Sequence, residues 1–253
     1  MRKFFICLPG VFLAQAFALS AAADTLTVAV AANAQYAFGE LSTAFQKETG
    51  HTLKPVFNSS GKFASQILNG APFDVFLSAD MEYPQRLYEA GHTAGPPQVY
   101  AYGTLVLWTM KDLDLQDWRQ SLTGPTVRKI AVANPKLAPY GREAMKALAY
   151  FKLDNTLASK LVYGESIAQT TQYIHSRAAD AGFTAKSVVL SPQLRGQGKW
   201  IDLPAGSYQP IAQGMVLLKH GEAANPELAR QFQDFLGSRV ARDIFTRYGY
   251  MLP

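Results

Sequence analysis

The sequence predicts an α/β protein built as two lobes with largely parallel sheets. Apolar, strand-like runs alternate with helix-like segments along the chain, which is the pattern of sheets covered by helices. Small polar turns follow strands at 32–35, 58–61, 139–141 and 164–166, one pair in each half of the chain. Ligands of such folds lie beyond the carboxyl ends of the strands, so the turns predict a ligand cleft between the lobes.

In the first half of the chain, hydrophobic periodicity predicts strands and helices in alternation. The predicted strands are 25–31, 53–57, 73–77 and a long β-rich run at 100–110, and the predicted helices are 36–49, 60–68 and 81–90. Gly50, Gly70 and Gly91 follow the three helices, and glycine is the residue that most readily adopts the left-handed backbone of a helix end. This half therefore predicts one complete α/β unit.

The second half predicts a similar unit. Its segments are a helix at 115–122, a strand at 129–132, a rigid turn at 134–141, a helix at 142–151, a strand at 161–163, a helix at 167–177, strands at 182–184, 188–190 and 208–218, and a last helix from Asn225. The β-rich runs near 100–108 and 208–218 have the positions of crossovers between lobes. The predicted division is 24–102 with 215–253 for one lobe and 103–214 for the other.

The turn at 58–61 is the most informative local pattern. It follows a strand end and precedes a helix in which Phe63 and Ile67 are apolar at helical spacing. The first N–H groups of a helix lack partners and its dipole is positive there, so this turn is suited to hold an anion. The alternative is that Ser60 caps its helix, and the local pattern alone favours the cap.

Residues 1–23 have the pattern of a secretory signal. Met-Arg-Lys precedes an apolar run at 4–19 and small residues at 21–23, which predicts cleavage before Asp24. A membrane anchor is the alternative, but the apolar run is short for a span. The only cysteine, Cys7, lies within this segment, so the mature protein relies on its core rather than on disulfides.

The charge of the chain argues against nucleic-acid binding. The formal net charge is +5, and removal of Arg2 and Lys3 leaves 5 − 2 = +3. The basic residues are scattered, whereas a nucleic-acid-binding protein carries a basic patch or stripe. The predicted partners are therefore small molecules rather than nucleic acid.

Several sequence blocks in order resemble the periplasmic molybdate-binding proteins of ABC transporters. The blocks are Val-Ala-Val-Ala-Ala-Asn at 28–33, Phe-Asn-Ser-Ser-Gly-Lys-Phe-Ala-Ser-Gln-Ile at 57–67, Gly-Ala-Pro-Phe-Asp-Val-Phe-Leu-Ser-Ala-Asp at 70–80, Pro-Tyr-Gly-Arg-Glu-Ala at 139–144, Gly-Glu-Ser-Ile-Ala-Gln-Thr at 164–170 and Ile-Phe-Thr-Arg-Tyr-Gly-Tyr at 244–250. The resemblance implies the two-lobed, type II periplasmic-binding-protein fold with a hinge, a monomeric periplasmic protein without a cofactor, molybdate or tungstate as ligand, and a membrane permease as partner.

The resemblance also implies a set of ligand-binding residues that supply neutral hydrogen-bond donors. They are the side-chain amide and N–H of Asn33, the hydroxyl and N–H of Ser60, the hydroxyl of Tyr140 and the N–H of Ile167, with Ala32 and Ser59 flanking them. One branch of the family has a tyrosine where Ala185 stands here and a small residue where Tyr140 stands. In this chain Tyr140 is expected to supply the missing hydroxyl.

Other functions are less well supported by the residues. No serine-nucleophile elbow, zinc signature or dinucleotide fingerprint occurs, which argues against an enzyme. A regulator's effector domain would need a DNA-binding segment and no export signal. Sulfate or another oxyanion stays open as the ligand, and a ferric ion would need clustered tyrosines with a carboxylate. The histidines are isolated, Asp74 and Asp80 have the positions of structural carboxylates, and Glu165 is expected to help cap a helix.

Overall fold

A computed structural model describes residues 24–253, so the predicted signal sequence lies outside the described residues. The strands are β1 (Thr25–Ala31), β2 (Thr52–Asn58), β3 (Val75–Ser78), β4 (Gln98–Gly103), β5 (Leu105–Thr109), β6 (Ile130–Ala133), β7 (Leu161–Gly164), β8 (Ala181–Ala185), β9 (Lys199–Asp202) and β10 (Ile211–Leu217). The helices are α1 (Gln35–Thr49), α2 (Ser60–Leu68), α3 (Glu82–Glu89), α4 (Trp118–Thr123), α5 (Pro139–Tyr150), α6 (Asp154–Leu157), α7 (Ile167–His175), α8 (Lys186–Val189), α9 (Lys219–Ala224), α10 (Pro226–Leu236) and α11 (Arg239–Arg247).

The strands form two five-stranded mixed sheets, one in each lobe. Lobe I contains the sheet with strand order β2-β1-β3-β10-β4, and lobe II contains the sheet with order β7-β6-β8-β5-β9. In lobe I, β1 is parallel to β2 and β3, while β10 is antiparallel to β3 and β4. In lobe II, β6 is parallel to β7 and β8, while β5 is antiparallel to β8 and β9. The predicted α/β, two-lobed architecture is confirmed.

The chain passes between the lobes at two places. The long β-rich run at 100–110 is two strands, because β4 ends at Gly103 in one sheet and β5 begins at Leu105 in the other. The chain returns to the first sheet at Ile211, so the predicted boundary between 214 and 215 falls inside β10. These two adjacent connections form the only links through the described chain between the sheets, which is the geometry of a hinge.

Each lobe has a hydrophobic core of its own. In lobe I, the ring of Phe45 on α1 makes edge contacts with Phe232 and Phe235 on α10, with centroids 5.4 and 5.3 Å apart. In lobe II, Trp108 and Phe183 lie fully buried on neighbouring antiparallel strands. Among residues 24–253, no helix has the length and apolar character needed to cross a membrane.

Several elements of the structure differ from the prediction. The segment 188–190, predicted as a strand, is not part of a sheet. Val188 and Val189 are the last two residues of α8, and both are buried there. Residues 139–141, predicted as part of a turn, form the first turn of α5, where a proline is well tolerated. Strand β9 was not predicted, because its charged and half-exposed residues carry little hydrophobic signal.

Candidate functional site

Four turns at the facing edges of the two sheets form the candidate site. In lobe I, β1 leads into a 3-10 turn at Ala32–Ala34, and β2 leads through Ser59 into α2. In lobe II, β6 is followed by α5 and β7 by α7. Parallel strands end at the same edge of a sheet, so each lobe presents one pair of turns to the other.

The four turns enclose a small cavity between the lobes. Its lining residues are Ala31, Ala32, Asn33, Ser59, Ser60, Ala79, Ala138, Pro139, Tyr140 and Ile167. All six residues expected to bind the ligand are in this set. The structure therefore brings together residues that are up to 135 positions apart, from 167 − 32 = 135.

Helix N-termini converge on this cavity from both lobes. Ser60 and Ile167 are the first residues of α2 and α7, and Tyr140 is the second residue of α5, after Pro139. The N–H groups of a first helical turn lack acceptors within the helix, and the helix dipole places positive charge there. The 3-10 turn at Ala32–Ala34 adds a fourth such end. The field inside the cavity consequently favours an anion.

The serine hydroxyls at the start of α2 are available to a ligand. Ser59 is the N-cap residue, but neither it nor Ser60 makes a side-chain cap bond, so the capping alternative for Ser60 is wrong. The Oγ of Ser60 accepts a hydrogen bond from the N–H of Ala79 at 2.9 Å, which leaves its own proton free to donate. The Oγ of Ser59, a residue only 3% exposed, has no hydrogen-bond partner among the described residues.

Tyr140 is a buried, neutral donor. Its hydroxyl also has no partner within residues 24–253, and the residue is 1% exposed. Burial raises the pKa of the Tyr140 hydroxyl well above its usual value; the nearby Tyr250, Tyr100 and Tyr208 add to the rise, and the neighbouring Asn33 side chain opposes it without a hydrogen bond of normal geometry. A Cβ on Gly103 would lie 1.9 Å from this hydroxyl, so the tyrosine occupies space that only glycine leaves at the end of β4.

Asn33 uses its side-chain amide inside the protein. Its Nδ2 donates to the Oε1 of Gln213 at 2.8 Å and to the hydroxyl of Tyr250 at 3.0 Å. Both amide hydrogens are thereby engaged, whereas the amide was expected to face the ligand. What Asn33 offers to the cavity in this conformation is the N–H of its 3-10 turn.

Charged residues surround the cavity but do not line it. None of the ten lining residues is charged. Lys62 of lobe I pairs with Glu165 of lobe II at 2.5 Å, and Arg142 of lobe II pairs with Asp80 and Glu82 of lobe I. Glu165 was expected to help cap α7; Ser166 is the N-cap instead, and Glu165 makes a contact between the lobes.

Comparison with known proteins agrees with this geometry. Residues 26–251 match the family described as bacterial extracellular solute-binding proteins. The molybdate-binding protein ModA of Azotobacter vinelandii is 40% identical over 237 residues, which is 93% of each chain. That of Rhodobacter capsulatus is 38% identical over 240 residues, 94% of this chain and 93% of the relative. The chain is a bacterial extracellular solute-binding protein of the ModA family.

A solved structure supports the same family. The periplasmic molybdate-binding protein of Azotobacter vinelandii superposes on this solute-binding protein with a TM-score of 0.85 and 35% identity, covering 90% of this chain and 99% of that one. The family resemblance and the two-lobed fold predicted from the sequence are confirmed. The family is one of binding proteins, so the enzyme alternative does not describe it.

The other residues considered from the sequence have structural roles in this solute-binding protein. The carboxylate of Asp74 accepts from the N–H of Thr27 at 2.7 Å and contacts His220 at 2.8 Å. Asp80 is engaged by Arg142. Within residues 24–253 no cluster of histidine, cysteine or carboxylate residues has the geometry of a metal site.

Three buried residues that support the site were not found from the sequence. Gln213 and Tyr250 accept from the Asn33 amide, and Ser187 donates to the Asn33 carbonyl at 2.7 Å. The ring of Tyr250 also packs against that of Phe245 on α11, with the ring centroids 5.6 Å apart. These residues lie far from Asn33 in the chain, so no local pattern signals them.

Proposed function

We propose that this protein binds molybdate, or tungstate, in the cavity between its lobes and delivers the ion to the membrane permease of an ABC transporter. The observation that carries the proposal is the convergence of uncharged donors from four turns on one small cavity. The ModA relatives bear the name of molybdate-binding proteins. Molybdate is a ligand in this role, and we assign the protein no catalytic step and no cofactor.

The proposed ligand shell consists of backbone N–H groups and hydroxyls. The main donors are the N–H of Asn33, the N–H and hydroxyl of Ser60, the N–H and hydroxyl of Tyr140 and the N–H of Ile167, with Ala32 and Ser59 beside them. The unpartnered, buried hydroxyls of Ser59 and Tyr140 support this assignment, because a buried hydroxyl without a partner is costly unless a ligand supplies one.

Such a shell can hold a dianion without a counter-cation. Oriented N–H and O–H dipoles replace the lost hydration, and each charge-assisted hydrogen bond contributes about 1.5–3 kcal/mol. Five to seven bonds, less the costs of immobilising the ion and closing the lobes, give roughly −8 to −11 kcal/mol. This range corresponds to dissociation constants from about 1 µM to about 10 nM.

The same shell discriminates among oxyanions. Protonated phosphate carries a hydroxyl whose hydrogen needs an acceptor, and an unpaired buried donor costs about 1–3 kcal/mol. Sulfate has the charge and shape of molybdate, so only the size of the cavity can reject it. Tungstate is nearly the size of molybdate, and we expect it to bind equally well.

The lobes move about the hinge during this cycle. We propose that the predicted lobes, 24–102 with 215–253 and 103–214, move relative to each other, with the second boundary shifted to the start of β10 at Ile211, and that the anion stabilises the closed form by bridging them. The protein then acts as a periplasmic monomer after removal of residues 1–23. The direct contacts between Lys62 and Glu165 and between Arg142 and Asp80 support closure as one of its states.

Calorimetric titration with molybdate, tungstate, sulfate and phosphate tests the proposal. Molybdate and tungstate are expected to bind in the micromolar to nanomolar range, sulfate at least about 100-fold more weakly, which is about 2.7 kcal/mol, and phosphate about 5- to 150-fold more weakly than molybdate from its unpaired hydroxyl alone. Tighter binding of sulfate than of molybdate would identify a sulfate-binding protein instead. Small-angle scattering in the same solutions is expected to show a smaller radius of gyration with molybdate, and an unchanged radius would contradict lobe closure.

A further inference from the structure

Gln213 lies at the centre of a buried polar network behind the cavity. Its side chain is fully buried on β10, which lies between β3 and β4 in the sheet of lobe I. The pairing of β10 with β4 shifts between Gln213, opposite Ala101, and Gly214, opposite Val99, so Tyr100 is the extra residue of an irregularity on β4. Beside this irregularity, the amide oxygen of Gln213 lies 2.8 Å from the amide nitrogen of Asn33.

The surrounding carbonyls set the orientation of the Gln213 amide. Its Nε2 donates to the carbonyl of Ile211 at 2.9 Å and, at a longer 3.4 Å, to that of Ala79. Two acceptors on this side require the NH₂ group there, so the Oε1 must face the opposite way, toward Asn33. Gln213 consequently accepts from Asn33, and the Asn33 amide nitrogen is held on that side.

This orientation is transmitted to both turns of lobe I. Asn33 belongs to the 3-10 turn, and its carbonyl is also held by Ser187 at 2.7 Å and by Tyr250 at 3.2 Å. Ala79, whose carbonyl accepts from Gln213, donates its own N–H to the Oγ of Ser60. One glutamine therefore contacts the supports of the Asn33 turn and of the Ser60 hydroxyl.

We propose that Gln213 is a positioning residue for the oxyanion, fixing the Asn33 turn and the Ser60 hydroxyl so that their donors face the cavity. It does not touch the ion. A neutral amide is required at this position, because it must accept from Asn33 and donate to the carbonyls at once without adding negative charge behind the site. The inference rests on the proposed function.

Gln213→Glu distinguishes positioning from simple packing, because the variant is isosteric and titratable. When ionised, the carboxylate can still accept a hydrogen bond from Asn33, but it has no hydrogen to donate to the carbonyls of Ile211 and Ala79. Its negative charge also disfavours binding of the dianion. When protonated, it restores one donor and one acceptor. Burial raises the pKa of a carboxyl, so this titration is expected between about pH 5 and 8.

The neighbouring titratable groups do not obscure this readout. Burial raises the pKa of Tyr250 to about 12, and it raises those of Tyr140 and Tyr100 well above their usual value, so all three stay protonated in this range. Burial also raises the pKa of Asp80, which is paired with Arg142. Asp80 is present in every variant, so any pH dependence of the affinity that it causes is also seen in the unaltered protein and can be subtracted.

The experiment is calorimetric titration of the full mature chain with molybdate, tungstate and sulfate from pH 5.5 to 8.5. The proposal expects Gln213→Glu to bind at least tenfold more weakly than the unaltered protein at pH 8.5 and within threefold of it at pH 5.5. Gln231→Glu, which places the same charge on the exposed face of α10, is the matched control and is expected to bind like the unaltered protein at every pH.

Each outcome decides between the alternatives. If Gln213→Glu binds like the unaltered protein throughout, or loses affinity equally at every pH, Gln213 has no positioning role. If this variant does not fold by circular dichroism, Gln213→Met takes its place, with at least tenfold weaker binding expected and unaltered binding contradicting the proposal. If the unaltered protein binds none of the three ions, the proposed function fails and this inference fails with it.

Discussion

The N–H of Gly61 in lobe I donates to the carbonyl of Leu137 in lobe II at 2.9 Å. A Cβ at position 61 would lie 2.7 Å from the Tyr83 hydroxyl oxygen and 3.0 Å from the Cα and O of Leu137. Gly61 thus allows the two backbones to meet directly beside the cavity, and closure of the lobes depends on this close approach.

Gly61→Ala is expected to weaken molybdate binding about tenfold or more, because the added methyl group pushes against the Leu137 backbone of lobe II and displaces the end of the Tyr83 side chain of lobe I. Calorimetry measures the affinity and scattering the closure. Gly39→Ala is the control, since a Cβ there meets nothing within 4 Å and alanine suits the interior of α1. Equal affinities for the two variants would show that closure tolerates a side chain at position 61.

Ser60→Ala is expected to lower molybdate affinity by about 10- to 150-fold, the equivalent of one charge-assisted hydrogen bond of about 1.5–3 kcal/mol. The N–H of Ala79 also loses its acceptor, so a drop in melting temperature is expected. Ser65→Ala, on the exposed side of the same helix, controls for the change of residue type. Unchanged affinity in Ser60→Ala would remove this hydroxyl from the ligand shell.

Arg142→Gln is expected to speed molybdate dissociation about three- to tenfold with little change in the association rate. Arg142 pairs with Asp80 and Glu82 of the other lobe only when the lobes are closed, and partly exposed pairs contribute about 1 kcal/mol or less each. Stopped-flow fluorescence measures both rates. Arg239→Gln, at a side chain 93% exposed, is the control. A slower association with an unchanged dissociation rate would instead indicate that Arg142 attracts the anion electrostatically and does not hold the lobes closed.

Asp180 is expected to make lobe II sensitive to acid. Burial alone would raise its pKa, but hydrogen bonds from Lys111 and from the N–H groups of Lys129 and Arg128 outweigh burial and lower the pKa overall. The folded pKa therefore lies below the unfolded value, and the stabilisation is present above that value and is lost as the pH falls through the folded pKa.

Asp180→Asn is accordingly expected to reduce the free energy of unfolding by about 1–3 kcal/mol at pH 7, with a difference from the unaltered protein that shrinks below about pH 4. Thermal melts followed by circular dichroism across this pH range measure the effect. Asp234→Asn, an exposed substitution on α10, is the control. A difference that stays constant down to pH 2 would contradict a charge-dependent role.

Much of the fold was predictable because its signals are local. Strand alternation, the apolar spacing of helices such as α2 and the glycines after helices depend on neighbouring residues. Element boundaries were predicted less well where the local residue pattern and the tertiary structure disagree. Pro139 and Tyr140 have turn-forming neighbours but begin α5. Val188 and Val189 favour a strand in isolation but lie on α8. Tertiary packing overrode propensity at these sites.

Local residue patterns were sufficient to identify a two-lobed α/β chain with four polar turns that carry uncharged donors. Which atoms of those turns remain for a ligand depends on contacts between residues far apart in the chain. Asn33 gives its amide hydrogens to Gln213 and Tyr250, which are 180 and 217 positions away. The order of strands in the lobe I sheet brings β10 near β1, and strand order is not visible in local hydrophobic periodicity.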